Sequence, residues 1–244
     1  MICHRYRCLF VHIPKTAGMS IEQVFLELVG LSWNTRAPLL LGRNDDPSLG
    51  PPRLEHLKAG EYVGRGHLTA EQFDSYFKFS FVRNPWDRLV SEYKYRGYPV
   101  KIDFKTYLFK HLPAPGWTDT YCHVAPQYDF LYDEAGKLLV DFVGRYESLQ
   151  ADFDTVCARI GIPPTPLPRV NRSLEGTRTN SLRELRKQLR RALWSRERKH
   201  IFPHYTQYYD DESREFVGRL FRRDVEAFNY AFDDRVRSAM PASS

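Results

Sequence analysis

A short apolar run, Leu9-Phe10-Val11, leads directly into HIPKTAGMS (residues 12–20) and then into the amphipathic stretch IEQVFLELVG. Strand, tight turn, helix is the repeating unit of a parallel sheet, because parallel neighbours need a crossover connection and a helix supplies it. Residues 8–13 are too short and too rich in β-branched and aromatic side chains for a helix, and read as a buried strand. Ser20 and Gln23 have capping-box spacing, which predicts a helix beginning at Ser20. Ile21, Val24, Phe25, Leu28 and Val29 fall on one face of it.

The alternation continues along the chain. YFKFSFVR (76–83) reads as a strand. It runs into NPWDRLVSEYKYRG, where Asn84 suits an N-cap, Pro85 a first helical residue and Gly97 a stop. EYVGRGH (61–67) reads as a short strand ending at His67, and LLVDFVG (138–144) as another. SLQADFDTVCARIG (148–161) reads as a helix closed by Gly161. Residues 32–59 and the Pro-rich IPPTPLPRV read as loops. Ser181 to Lys199 places Leu182, Leu185, Leu189 and Leu193 on one helical face, and DDESREFVGRLFRRDVEAFNYAF reads as a C-terminal helix on the core. Strands alternating with helices predict an α/β fold with a central parallel sheet flanked by helices. A chain of 244 residues, 42% apolar, suits a single domain over residues 1–244.

No stretch approaches 18 apolar residues, so no transmembrane helix is predicted. The segment MICHRYRCLFVHI has no long apolar stretch ending in small residues, and no leader is read. Four cysteines, Cys3, Cys8, Cys122 and Cys157, form no CxxC pair and no metal spacing. The expectation is reduced thiols, a cytoplasmic location and no bound metal. The formal charge of +6 is uneven: between Arg178 and Lys199, nine Lys or Arg face only Glu184 and Glu197. This segment carries +7 and leaves the remainder near −1. A basic face of this kind attracts an anionic glycan or a lipid surface and also makes a solvated helix face. No nucleic-acid partner is expected, and oligomeric state is not legible.

Two stretches carry chemistry. A helix N-terminus binds anions through free N–H groups and a partial positive charge. In HIPKTAGMS those groups would come from Thr16, Ala17, Gly18, Met19 and Ser20, with Lys15 as a point charge. The ATP loop G-x-x-x-x-G-K-[ST] is not matched. In SFVRNPWDRLVSEY (80–93), Arg83 ends a strand at the sheet edge where α/β proteins bind ligands, and Ser91 follows in the next helix. A guanidinium and a hydroxyl there could hold a second phosphate. Asp87 and Arg88 read as helix-surface pairs, and Trp86 equally as core or as site.

PKTAGMS followed by FVRNPWDRLVSEY resembles the phosphosulfate loop and the 3′-phosphate motif of sulfotransferases that use 3′-phosphoadenosine 5′-phosphosulfate (PAPS). The resemblance is to the carbohydrate group that includes heparan sulfate 2-O-sulfotransferases and related bacterial enzymes. GHLTAEQF (66–73), VDFVGRYESLQADFDTVCARIGI (140–162), VNRS (170–173) and residues 205–232 resemble it too, in order. Eukaryotic members carry a membrane anchor and a lumenal stem, whereas this chain starts at its first strand, so a soluble bacterial-type member is expected. Met19 stands where Thr or Ser is common, and Asn84 where Asp is frequent.

The resemblance implies PAPS as co-substrate without a metal. It also implies Lys15 beside the bridging oxygen, His67 as general base, Arg83 and Ser91 on the 3′-phosphate, and Arg172 and Ser173 in a loop over the nucleotide. The acceptor would be a glycan hydroxyl, with a lipid, small metabolite or peptide tyrosine left open. Two other readings stay open. One is a P-loop kinase, with KLLVD (137–141) as a strand ending in a metal-binding Asp141. The other is a non-catalytic nucleotide- or glycan-binding module.

Overall fold

The structure is a computed structural model that describes residues 1–168 and 201–233. The VNRS segment, with Arg172 and Ser173, and the basic segment 178–199 lie outside the described residues. The chain divides into two compact units. The larger comprises Met1–Pro85, Pro113–Val170 and Phe221–Tyr230. The smaller comprises Trp86–Leu112, Asn171–Leu220 and Ala231–Ser244, of which 86–112, 201–220 and 231–233 are described.

A four-stranded sheet in the order β1-β2-β3-β4 organises the larger unit. The strands are β1 (Ile2–Cys3), β2 (Cys8–Val11), β3 (Phe77–Val82) and β4 (Phe142–Arg145). β2, β3 and β4 run parallel, with Phe10 opposite Phe79 and Phe81 opposite Gly144, and β1 adds an antiparallel edge to β2. Helices α1 (Gly18–Leu28), α2 (Glu61–Gly64), α3 (Ala70–Ser75) and α4 (Pro85–Tyr95) follow β2 and flank β3 in the sequence. Then come short helices α5 (Phe104–Thr106), α6 (Asp119–Cys122) and α7 (Tyr128–Leu131), and the longer α8 (Leu149–Ile160). Helices α9 (Asp211–Leu220) and α10 (Arg222–Ala227) close the described chain. The expected α/β architecture is therefore present. No described helix is long and apolar enough to cross a membrane.

Both sheet faces are covered, as parallel strands require. Phe10, Phe79 and Phe81 pack with Ile21, Val24 and Phe25 of α1 and with Phe153, Val156 and Cys157 of α8. Leu9, Val11 and Val82 point the other way, onto Tyr62, Leu68, Phe130, Leu131 and Phe228. Gly161 ends α8 in the left-handed region, φ 74°, as its position predicts. The smaller unit is built on aromatic rings. Tyr93 of α4 packs against Tyr98, Phe104, Tyr107 and Tyr208 at centroid distances of 5.2–6.3 Å.

Several local expectations fail for identifiable reasons. Helix α1 begins at Gly18, not Ser20, because Ala17 turns left-handed and Ser20 N donates to Ala17 O, closing the first turn early. Gln23 is therefore no cap partner, and its Nε2 donates to Glu27 Oε1 at 2.6 Å. EYVGRGH is helix α2 and a turn, not a strand: Tyr62 is fully buried, and Arg65 reaches back to Glu61 at 2.7 Å in i,i+4 spacing. Arg88 is 1% exposed and no surface residue, and Trp86 is core, with Nε1 donating to Arg214 O at 3.0 Å. The C-terminal helix is broken at Phe221 into α9 and α10, because Asp224 is drawn into the interior to accept from Gln127 N and Tyr128 N.

Candidate active site

The loop between β2 and α1 is held open by strain and by a buried pair. Lys15 and Ala17 have φ of 73° and 68°, which non-glycine residues adopt only at a cost of about 1–3 kcal/mol each. Alternating handedness of this kind turns successive N–H groups toward one concavity, a backbone nest suited to an anion. No side chain caps α1. Thr16 is fully buried and its hydroxyl donates to Ile13 O at 2.8 Å, so this side chain shapes the loop. Lys15 and Ala17 are half-buried, Met19 is exposed and Ser20 half-buried.

Beneath the loop, His12 Nδ1 lies 2.7 Å from Glu22 Oε1, with both residues at most 5% exposed. This pair ties the end of β2 to the first turns of α1. It also explains Gly18. A Cβ at that position would come within 2.0–2.6 Å of three atoms of the His12 ring, which Glu22 holds and Phe10 stacks upon. Gly18→Ala is therefore expected to destabilise the protein by about 3 kcal/mol, the upper end for overpacking. The melting temperature should fall by roughly 6–12 °C. An unchanged melting temperature would show that the His12 ring yields freely.

The second loop meets the first. Arg83, just past β3, donates from Nη1 to Lys15 O at 3.2 Å, and its guanidinium carbon lies 3.9 Å from the centroid of the Tyr146 ring. Its backbone is clamped by a fully buried Gln127. Oε1 accepts from Arg83 N at 2.9 Å and Nε2 donates to Arg83 O at 2.8 Å. Gln127 in turn is anchored on the buried carboxylate of Asp224, which accepts Gln127 N at 2.9 Å. Glu147 accepts Asn84 N at 2.8 Å and the Tyr230 hydroxyl at 2.9 Å. Burial and the Glu147 carboxylate raise the Tyr230 pKa well above its ordinary range. The sheet thus delivers Lys15 and Arg83 to one place, at the C-terminal ends of adjacent parallel strands.

Ser91 is half-buried on α4, in the smaller unit. His67 is half-buried in the turn between α2 and α3, with Nε2 2.6 Å from Leu49 O. A carbonyl only accepts, so Nε2 carries the hydrogen and Nδ1 the lone pair. Asp141 does not end a strand. It precedes β4, its carboxylate accepting Lys78 N at 2.7 Å, so it stands at the opposite end of the sheet from a kinase metal ligand. Sequence reading missed His12–Glu22, Gln127, Glu147 and Asp224. A signal existed for Glu22, a charged residue among the apolar positions of α1; Gln127 and Asp224 left none.

Residues 1–231 match the model of the sulfotransferase family. The chain is 27% identical over 192 residues to carbohydrate sulfotransferase 14 of Mus musculus, covering 67% of this chain and 47% of that protein. The Homo sapiens carbohydrate sulfotransferase 14 is 26% identical over the same coverage. An uncharacterized protein of Archaeoglobus fulgidus is 33% identical over 109 residues, 44% of this chain and 86% of its own. The chain spans about half the length of the carbohydrate sulfotransferases it matches. No solved structure matches.

Proposed function

We propose, on the premise that this chain belongs to the sulfotransferase family, that it transfers a sulfuryl group from PAPS to a hydroxyl of a carbohydrate. The observation that carries this reading is the 3.2 Å contact of Arg83 Nη1 with Lys15 O, which sets a fixed guanidinium beside a strained, lysine-bearing loop. A donor with a phosphosulfate at one end and a 3′-phosphate nearby needs two such anion sites side by side. The carbohydrate acceptor is supported by the names of the mammalian relatives.

In this reading the backbone N–H groups of Thr16 to Ser20 cradle the phosphosulfate. Sulfuryl transfer, like phosphoryl transfer, moves a group in line between two oxygens through a loose transition state, with charge building on the leaving oxygen. Lys15 neutralises that charge on the departing phosphate. His67 accepts the acceptor's hydroxyl proton at Nδ1, while Leu49 O fixes its ring through Nε2–H. Arg83 and Ser91 are assigned to the 3′-phosphate, and Arg172 and Ser173 to the nucleotide. The basic segment 178–199 draws in an anionic acceptor.

Calorimetry with 3′,5′-ADP and AMP tests the assignment. The 3′,5′-ADP should bind more tightly, and Arg83→Ala should remove one to two decades of that affinity, given about 1.5–3 kcal/mol for a charge-assisted hydrogen bond. Equal affinity for the two nucleotides would refute it. Incubation with labelled PAPS and a glycan panel, read by mass, then identifies the acceptor.

A further inference from the structure

A second cluster lies in the larger unit, packed against His12 beneath the β2–α1 loop. His56, at the end of the turn Leu54–His56, and Asp119 and His123, at the two ends of α6, each bring a ligand atom to within 4.8 Å of the others. His56 and His123 are 6% and 8% exposed. Two imidazoles and one carboxylate form a donor set that suits divalent transition ions, zinc among them. Asp119 and His123 stand four residues apart, and His56 joins them from a distant segment.

Two further details point the same way. His56 Nδ1 lies 3.3 Å from the His12 carbonyl. A carbonyl can only accept, so Nδ1 bears the hydrogen and Nε2 keeps its lone pair. Metal-bound imidazoles are held in this way by a backbone acceptor on the far nitrogen. His123 Nε2 and Asp119 Oδ1 stand 3.8 Å apart, too far for a hydrogen bond. That separation is close to the ~3.4 Å edge of a tetrahedron whose metal–ligand bonds are about 2.1 Å. One cation already competes. Arg53 Nε lies 3.2 Å from Asp119 Oδ1, but Arg53 is 38% exposed and also pairs with Glu55 at 3.4 Å.

We propose that His56, Asp119 and His123 bind a divalent transition-metal ion of the zinc class, with Arg53 as the cation that the ion displaces from Asp119. Because His56 is bonded to the His12 carbonyl, the ion would fasten the Leu54–His56 turn and α6 to the end of β2, three residues before Lys15. The site is independent of the sulfuryl-transfer reading.

The test is zinc titration of the untagged full chain, stripped by chelator and dialysed, by calorimetry near neutral pH. One equivalent of zinc should bind. Asp119→Asn, which keeps shape at a partly exposed position, should weaken binding at least roughly tenfold, and His123→Gln likewise. Arg53→Ala should tighten it by removing the rival cation. Bound Co²⁺ should give visible d–d absorption in the wild type that both ligand variants lose. Absence of stoichiometric zinc, or affinity unchanged in Asp119→Asn with circular dichroism still native, would overturn the site. Affinity unchanged in Arg53→Ala would overturn the displacement.

Discussion

His67→Ala is expected to lower kcat by about 10²–10⁴-fold, while the affinity for 3′,5′-ADP and the melting temperature stay near wild type. A neutral imidazole keeps one ring nitrogen as an acceptor, which can take a proton from a sugar hydroxyl. A carboxylate in its place would be a weaker base and would repel the incoming sulfate. The Leu49 carbonyl adds a constraint, because it holds Nε2–H and leaves Nδ1 as the proton acceptor. The fold should survive the change, since His67 is half-buried in a turn and packs no core. A variant that keeps more than about a tenth of wild-type kcat would remove His67 from the mechanism. His123 would be the next residue to test.

Lys15 gives the second large effect, and its backbone makes the outcome two-sided. Loss of the ammonium should lower kcat by about 10²–10³, the usual cost of removing one group that stabilises charge in the transition state. It should also weaken nucleotide binding, because in this reading the lysine touches the phosphosulfate. Lys15 sits at φ 73°, where glycine is at ease and other residues are strained. Lys15→Gly should therefore lose activity and gain about 1 kcal/mol of stability, a rise of roughly 2–4 °C in melting temperature. Lys15→Ala should lose the same activity without the gain. A glycine variant no more stable than the alanine variant would mean that the loop relaxes out of the left-handed region.

Sequence reading served best where periodicity and punctuation coincide. Strands β2 and β3, helix α8 with its Gly161 stop, and the start of α4 at Pro85 stand within a residue or two of expectation. Boundaries failed where a side chain reached across the fold to replace a local bond. Asp141 takes the Lys78 N–H and delays β4 to Phe142. Asp224, pulled inward to Gln127, breaks the last helix. The same cause hid half of the candidate site. Lys15 and Arg83 sit in recognisable motifs, but Gln127 and Asp224 act from 44 residues beyond Arg83 and a further 97. A lone buried Gln or Asp has no period to betray it.

The clamp on Arg83 has a kinetic consequence. Closing a loop costs chain entropy that grows with its length, and contacts between distant residues form slowly. Strands β2 and β3 can pair, and α1 can dock, using nothing beyond Val82. The Arg83 backbone is clamped only when Gln127 arrives and is itself locked by Asp224. A nascent chain shorter than that would hold the lysine loop without its partner. The site is thus completed only once Asp224 has been made, and a shorter nascent chain would have little hold on a doubly phosphorylated nucleotide.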